Sequence, residues 1–249
     1  MYYCCGITDK GAVRDKNEDA YLVNKIVLSQ AQMESDMSPP FIAAVADGVG
    51  GEASGEVASK MALELLSSVR YSKKVNMNTK VMNIHNRLRR YGMTHGGSEN
   101  MQTTLCALAI DEDDRAYIVN VGDSRLYRCR DGEIKQLSTD QSLVQLLYEQ
   151  GRITRDEKLT HARRNVIFPV LGNIADDPVP EITEIDGGIK KGDLIIICTD
   201  GLSDYLTKGE FEDTLAKPMR LSKRLRALID TAIKNGSPDN VTVVGISVI

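Results

Sequence analysis

The strongest constraint on the fold is a change in hydrophobic period along the chain. Apolar, strand-like runs come first, and a polar loop over residues 29–40 is expected between the second and the third. From Glu52 the apolar residues recur every three or four positions, which predicts one helix and then a second with an apolar face from Met77 to Tyr91. The glycine-rich residues 92–100 end this helical region. The early strand-like runs are CCGIT, AYLVNKIVL and FIAAVAD.

The second half of the chain returns to strand patterns separated by short turns, which is typical of an antiparallel meander. A long helix is then expected, opening with Pro218 in its first turn and closing at Asn235 and Gly236. Helix pairs inserted between strands predict an α+β fold in which the pairs cover an antiparallel β core. Since no linker or repeat interrupts the sequence, residues 1–249 are expected to form a single domain.

Composition excludes several classes of protein. The 31 Lys and Arg residues against 35 Asp and Glu residues give a net charge of −4, which argues against a nucleic-acid partner. Five scattered cysteines without CxxC spacing indicate reduced thiols. The longest apolar runs fall far short of the ~18 residues that a membrane helix needs, and the first residues do not resemble a signal peptide. We therefore expect a cytoplasmic protein without a membrane partner.

Four aspartates adjoin strongly apolar strands: Asp47, Asp123 and Asp200 follow such runs, and Asp239 precedes the last one. An Asp-Gly after a strand is usually only a turn. The near-continuous apolar runs before Asp47 and Asp200 instead indicate buried central strands, so the carboxylates would emerge together at one end of the core. Clustered carboxylates repel unless a cation holds them, and an all-oxygen donor set favours Mg²⁺ or Mn²⁺. Two such ions suit the attack of water on a phosphate ester.

Two neighbouring features leave alternatives open. Residues 50–55 have the glycine spacing of a phosphate loop, but Glu56 occupies the place of the required lysine, so a tight turn explains the glycines better than nucleotide binding does. Gly48 could offer its carbonyl oxygen to a metal. Arg14 stands among acidic residues, where an arginine usually forms a weak surface ion pair. Beside a metal–carboxylate cluster, its planar fork could instead hold two phosphoryl oxygens.

Ordered motifs cover essentially the whole chain: RDKNEDAY, VADGVGGEASGEVAS, TTLCALAI, NVGDSRLYR, LSTDQSLVQLLYEQGRIT, VLGN, GDLIIICTDGLSDYL and PDNVTVV. Together they resemble the metal-dependent protein serine/threonine phosphatases of type 2C in their compact bacterial form. The resemblance implies a central sandwich of two antiparallel β-sheets flanked by pairs of antiparallel helices. It also implies hydrolysis of phosphoserine and phosphothreonine with Mn²⁺ or Mg²⁺, acting on phosphoprotein substrates of a cognate Ser/Thr kinase, by a monomer.

The resemblance implies a role for each acidic residue. Asp47 would bridge two metal ions, and Gly48 would add its backbone carbonyl oxygen. Asp200 and Asp239 would complete the second metal site, and Asp200 with Asp123 would form a third.

Residues near the amino terminus have implied roles as well. Glu18 and Asp19 would bind the metals partly through water, and Arg14 would hold the substrate phosphate. Many eukaryotic relatives have His directly after the Asp-Gly, but this chain has Val49, so no side chain is named as proton donor and a water is expected to serve. A catalytically weak or inactive regulatory module is the alternative, and the retained carboxylates disfavour it.

The segment over residues 147–173 is polar and rich in Arg and Thr. We expect a mobile flap beside the metals. Its arginines could contact acidic or phosphorylated substrate segments, although exposed arginines often serve only solubility. The arginines in question are Arg152, Arg155, Arg163 and Arg164.

Overall fold

Two antiparallel sheets form the centre of the protein in a computed structural model, which describes residues 1–49, 54–95 and 101–249. Strands and helices are numbered in chain order. In spatial order the first sheet contains β10 (Glu133–Gln136), β9 (Arg125–Arg130), β12 (Leu194–Cys198), β13 (Val241–Val248), β1 (Tyr2–Asp9) and β4 (Gln32–Met37). The second contains β11 (Glu181–Glu184), β8 (Ala116–Val121), β7 (Leu105–Ile110), β5 (Phe41–Val49), β2 (Asp19–Val23) and β3 (Ile26–Leu28), and the short β6 (Gln102–Thr103) pairs with β5.

Two helical layers cover the outer faces of the sandwich. The second sheet packs against α1 (Ser54–Ser67) and α2 (Met77–Thr94), and the first packs against α6 (Lys208–Leu215) and α7 (Leu221–Lys234). Three shorter helices are α3 (Leu143–Glu149), α4 (Arg155–Thr160) and α5 (Asp200–Ser203). This order of layers confirms the predicted α+β sandwich flanked by helix pairs.

The central strand β5 shows why its sequence is almost continuously apolar. Ala44 and Ala46 belong to the core beneath α1 and α2, while Ala43 and Val45 belong to the core between the sheets. All four side chains are fully buried. Successive residues of a strand point to opposite faces, and both faces of β5 are covered. Its carboxyl end is therefore fixed from both sides where the acidic residues follow.

Two expectations for the first forty residues are wrong. Residues 29–40 are not simply a loop, because β4 lies within them and pairs with β1. Its polar residues reflect an edge position, where alternate side chains face solvent while Met33 and Met37 contact the core. The run AYLVNKIVL is not one strand either. Asn24 adopts a φ of 56° between β2 and β3, so the run forms a hairpin.

The predicted first helix exists, with one correction to its buried face. Ala58, Ala62 and Leu66 are fully buried, whereas Val57 is 41% exposed. Glu52, where this helix was expected to begin, lies outside the described residues. So do residues 96–100, which belong to the predicted glycine-rich end of the helical region.

The last helix starts later than predicted. Pro218 lies ahead of it, since the Met219 N–H donates to the Lys217 carbonyl oxygen in a turn and α7 begins at Leu221. Its predicted end is confirmed, because Asn235 caps the helix and the next residue, a glycine, has a φ of 93°. The five cysteines are free. Within the described ranges, every helix is too short or too polar to cross a bilayer.

Candidate metal centre

Carboxylates from both sheets gather at one end of the sandwich. Asp47 of β5 lies opposite Asp19 of β2 in the strand register. Asp200 opens α5 directly after β12, Asp239 precedes β13, and Asp123 follows β8. Burial first, and then the charges of the other four aspartates, raise the pKa of Asp47. The structure thus brings together the aspartates that the sequence singled out, and we refer to these five residues as the carboxylate cluster.

Burial is the largest cause of raised pKa values in the carboxylate cluster. The pKa of Asp47 and that of Asp123 lie well above the ordinary aspartate value, because protein replaces water around them and nearby carboxylates repel their charge. Asp19 is fully buried, and burial raises its pKa although two threonines hydrogen-bond to it. The pKa of Asp200 is raised for the same main reason. A site that disfavours its own negative charge in this way is suited to cations.

Unpartnered oxygens test whether these residues fit a metal. Among the described residues, Asp19 Oδ1 and Asp200 Oδ1 are buried without a hydrogen-bond partner. The Gly48 carbonyl oxygen and Glu18 Oε1 face the same small space beside Gly55. A side chain at Gly55 would fill this space, because its Cβ would lie 2.8 Å from each of the two oxygens. All are hard oxygen donors of the kind that Mg²⁺ and Mn²⁺ prefer. The donors fit, although in the described part of the chain no three acidic, His or Cys side chains close around one point as a finished metal site.

Arg14 lies on the open side of the carboxylate cluster. Its Nη2 donates to Asp239 Oδ2 at 2.8 Å, and the two side chains are 50% and 30% exposed. This contact is the ion pair that the sequence offered as the ordinary alternative. Arg14 and Glu18 also line a cavity of about 500 Å³. The hydrogen bond to Asp239 is the largest cause that raises the pKa of Arg14, and the charges of Glu18 and Asp47 raise it further. The guanidinium is thus close enough to the buried carboxylates to feel their charge.

Sequence reasoning missed the hydroxyl groups that hold Asp47. Thr104 Oγ1 accepts the Asp47 N–H at 3.0 Å and lies 2.8 Å from Ser124 Oγ, next to Asp123. Thr103 Oγ1 donates to the Asp47 carbonyl oxygen at 2.9 Å. All three hydroxyl-bearing residues are buried. One buried pair, Thr104 and Ser124, therefore ties together the backbone at two acidic positions, and the paired threonines of TTLCALAI were the available signal.

Asn240 fixes the loop that carries Arg14 and Glu18. Its side-chain amide donates to the carbonyl oxygens of Lys10 and Lys16, each at 2.9 Å. Its Oδ1 accepts the Glu18 N–H at 2.8 Å. One nearly buried asparagine therefore spans both ends of this loop. The PDN step before the last strand was the sequence signal for it.

A buried ion-pair network lies beside Asp123. Arg125 contacts Asp140 and Asp204, each at 2.8 Å. Lys158 of α4 lies 3.8 Å from Asp140. These side chains and Asp123 line one small cavity. The network connects Asp204, at the end of α5, to Lys158 in the segment predicted as a flap.

Three further residues around the site have structural roles. Gln141 Oε1 accepts the Gly122 N–H at 3.0 Å. Gln102 accepts a hydrogen bond from a downstream asparagine at 3.0 Å. His85 is fully buried, and its Nδ1 accepts the Gly172 N–H at 3.2 Å. His85 therefore anchors the end of the predicted flap rather than serving the carboxylate cluster.

Comparison with known proteins identifies the family of this chain. The profile of the family described as Protein phosphatase 2C matches residues 17–235. The chain belongs to this family. It is 30% identical over 248 residues to the serine/threonine phosphatase stp of Listeria monocytogenes, an alignment that covers 95% of this chain and 92% of that protein. Identity to the Mycobacterium tuberculosis serine/threonine protein phosphatase PstP is 31% over 242 residues, but the chain spans only 43% of that relative's length.

Solved structures of relatives have the same fold. The M. tuberculosis serine/threonine phosphatase PstP/Ppp superposes with a TM-score of 0.82 at 30% identity and covers 100% of this chain and 99% of that one. The S. agalactiae serine/threonine phosphatase superposes with a TM-score of 0.84 at 26% identity and covers all of both chains. The predicted resemblance is therefore confirmed over the whole chain.

Proposed function

We propose that this protein hydrolyses phosphoserine and phosphothreonine esters of proteins with two Mn²⁺ or Mg²⁺ ions, and with a third bound more loosely. The observation that carries this function is the pair of buried, unpartnered oxygens, Asp19 Oδ1 and Asp200 Oδ1, within the carboxylate cluster. A solved structure of the PstP catalytic domain in complex with 2 manganese ions supports it, at 29% identity and a TM-score of 0.78.

The ions would be held by oxygen donors from both sheets. Asp47 would bridge two ions, Asp200 and Asp239 would complete the second site, and Asp123 with Asp200 would hold the third ion. Bound ions would act as Lewis acids on the phosphoryl oxygens and lower the pKa of water in the site. The full set of proposed ligands is Glu18, Asp19, Asp47, Gly48, Asp123, Asp200 and Asp239.

The chain's own residues orient the substrate. Arg14 would bind two phosphoryl oxygens through its planar guanidinium, exchanging its contact with Asp239 for one with the phosphate. Val49, at the exposed end of β5, has no proton to give. The leaving alkoxide would therefore take its proton from water on the open side of the site.

Residues 147–173 would act as a substrate-contacting flap. Lys158 and Arg164 line the small cavity that also contains Asp123. A capping box between Thr154 and Glu157 starts α4 in this segment. The segment is thus close enough to the carboxylate cluster to contact residues that flank the phosphorylated side chain.

The setting proposed for the protein follows from its composition. Its net charge of −4 and its free cysteines suit a cytoplasmic monomer without nucleic-acid or membrane partners. Its substrates would be phosphoproteins made by a cognate Ser/Thr kinase.

The test is hydrolysis of a phosphothreonine peptide with added Mn²⁺, with added Mg²⁺ and after chelation. We expect phosphate release only with the metals, and its loss in Asp200→Asn. Asp193→Asn is the matched control, since Asp193 is a buried aspartate paired with Arg130 outside the site. Activity that survives thorough chelation would refute the metal mechanism. Absence of hydrolysis with every metal would favour the inactive regulatory module.

A further inference from the structure

A basic cleft lies at the far end of α1 from the carboxylate cluster. It is about 310 Å³ in volume and lies between the last turn of α1, the loop after it and one face of α2. α1 begins beside Gly48 and has 14 residues, so at 1.5 Å per residue it spans about 21 Å. The cleft is therefore a surface separate from the proposed catalytic centre, and we call it the α1–α2 cleft.

Its rim carries three cations and no carboxylate among the described residues. Arg70, Lys80 and Arg87 are exposed, and in the described part of the chain none of them forms an ion pair or a side-chain hydrogen bond. Lys80 and Arg87 are seven residues apart on α2, which puts them on one face of that helix. Other basic residues nearby do have partners, since Arg89 pairs with Asp177. In a chain with a net charge of −4, this is a local reversal of sign.

The floor and walls of the α1–α2 cleft are apolar and fixed in place. Leu65, Val69 and Val75 are half-buried there. Within the loop between the two helices, Tyr71 is buried with its ring edge-on to the Tyr117 ring, at a centroid distance of 5.7 Å. Contacts of this kind give the cleft a preformed shape, which lowers the entropy cost of binding a ligand.

We propose that the α1–α2 cleft docks an acidic segment of a phosphoprotein substrate, with Asp or Glu side chains on the rim cations and an apolar side chain on the floor. This inference rests on the proposed function, because the docked protein is also the one dephosphorylated. A nucleic acid is the poorer match, since the cleft has three cations, no aromatic ring for stacking and an apolar floor. Docking would raise the local concentration of the phosphorylated residue at the carboxylate cluster.

The test compares two substrates. One is a short phosphothreonine peptide, and the other is the same peptide joined by a Gly/Ser linker of about 12 residues, whose mean span is roughly 20 Å, to a segment of alternating Glu and Leu. With Mn²⁺ we expect the long peptide to have a kcat/KM about tenfold higher, through KM. The triple variant Arg70→Ala, Lys80→Ala, Arg87→Ala should lose that advantage and hydrolyse the short peptide normally.

A second triple variant is the matched control for charge. It removes an equal number of positive charges from exposed positions outside the α1–α2 cleft, through Lys191→Ala, Lys217→Ala and Lys223→Ala. The preference for the long peptide should persist in this variant. Equal kcat/KM values for the two peptides in the unmodified protein, or an equal loss of preference in both triple variants, would overturn the proposal.

Direct binding separates docking from catalysis. The fluorescence anisotropy of the labelled acidic segment should rise with the unmodified protein and much less with the cleft variant. If the short peptide is not hydrolysed at all, the proposed function fails. The anisotropy measurement still shows whether the α1–α2 cleft binds the acidic segment. Tighter binding of a single-stranded oligothymidylate at the same residues would overturn the assignment to an acidic protein segment.

Discussion

Two groups of buried aspartates in this protein have opposite charge environments. Asp193 is 2% exposed and contacts Arg130 at 2.6 Å. Burial alone would raise its pKa, but hydrogen bonds from Arg130 and from the Lys190 N–H, together with the arginine charge, outweigh burial and lower it. Asp19 is equally buried but faces other carboxylates, and its pKa is raised. The same side chain, shielded from solvent in both places, therefore stabilises the fold in one region and opposes it in the other.

The difference shows how to separate structural from functional acids. A buried carboxylate with its own arginine needs nothing further, as Asp140 with Arg125 also shows, because charge and hydrogen bonds lower its pKa despite burial. A buried carboxylate among others needs a cation from outside. The facing partner, rather than burial, marks the carboxylate cluster as the candidate centre.

The largest effect should come from Asp47→Asn. We expect it to lower kcat on a phosphothreonine peptide with Mn²⁺ by at least ~10³-fold, because the charge proposed to bridge two ions is lost. Asp193→Asn should instead keep near-normal kcat and lower the free energy of unfolding by about 1–3 kcal/mol, since Arg130 loses a charged partner. Denaturant unfolding and steady-state kinetics on both variants check the contrast. Near-normal turnover in Asp47→Asn with an unchanged circular dichroism spectrum would refute the ligand assignment.

Two of the aspartates that the sequence identified follow near-continuous apolar runs, because a central strand must be apolar on both faces until it leaves the core. Asp47 and Asp200 were visible for that reason. Strand β4 could not be predicted from its sequence, because a strand at the edge of a sheet buries little apolar surface. The motifs that contain Thr104 and Asn240 were visible, but the roles of these residues were not, because the roles depend on contacts between residues far apart in the sequence. Periodicity reports local burial, and such contacts arise only after the sheets pair.

The buried hydroxyl beside Asp47 gives the next effect. Thr104→Val removes the acceptor of the Asp47 N–H while keeping the side-chain shape. We expect half-maximal kcat to need a roughly 10–100-fold higher Mn²⁺ concentration, the usual scale for groups that orient metal ligands. Thr104→Ser should restore the normal Mn²⁺ requirement. A Mn²⁺ titration of both variants is the measurement, and an equal defect in the serine variant would point to packing rather than to the hydroxyl.

Arg14→Ala should act mainly on substrate binding. In its proposed role Arg14 would hold the phosphate in the substrate and in the transition state alike, so KM should rise about tenfold with little change in kcat. The unpaired Asp239 remains on the open side of the site, which limits any loss of stability. Initial-rate kinetics over a wide range of peptide concentrations would show this, and a loss confined to kcat would contradict the assigned role.

The two groups of aspartates should also respond oppositely to pH in chelator. The folded-state pKa of Asp19 is raised to about 7 and that of Asp200 to about 6, against about 3.9 for an unfolded aspartate. The folded state therefore holds more protons between pH 4 and 7, and these groups make stability fall as pH rises through that window. Asp193, with its lowered pKa, contributes stability above pH 4 that is lost on acidification.

Thermal unfolding in chelator should accordingly show a Tm that decreases from pH 5 to pH 7.5, with a shallower decrease in Asp19→Asn. Saturating Mn²⁺ should abolish the decrease. A Tm in chelator that rises steadily over this window would show that the carboxylate cluster does not carry the pKa values assigned to it.

The smallest effect is expected in the predicted flap. Arg163→Ala with Arg164→Ala should leave hydrolysis of a small aryl phosphate nearly unchanged and lower kcat/KM on phosphoproteins about threefold, the scale of exposed charge contacts. Equal losses on both substrates would mean that the segment supports the carboxylate cluster itself. No loss on either would mean that these arginines only keep the surface soluble.

The pairing of β13 between β12 and β1 sets the order in which the protein can be completed during synthesis. Residues 2–9 hydrogen-bond to residues 241–248, so the amino-terminal strand cannot pair with β13 until residues 241–248 have left the ribosome. The loop with Arg14 and Glu18 waits as well, because Asn240 holds it. Contacts this distant in sequence close slowly. A nascent chain released before residue 240 would consequently carry most of the acidic residues without the contacts that bring the Arg14 loop against them.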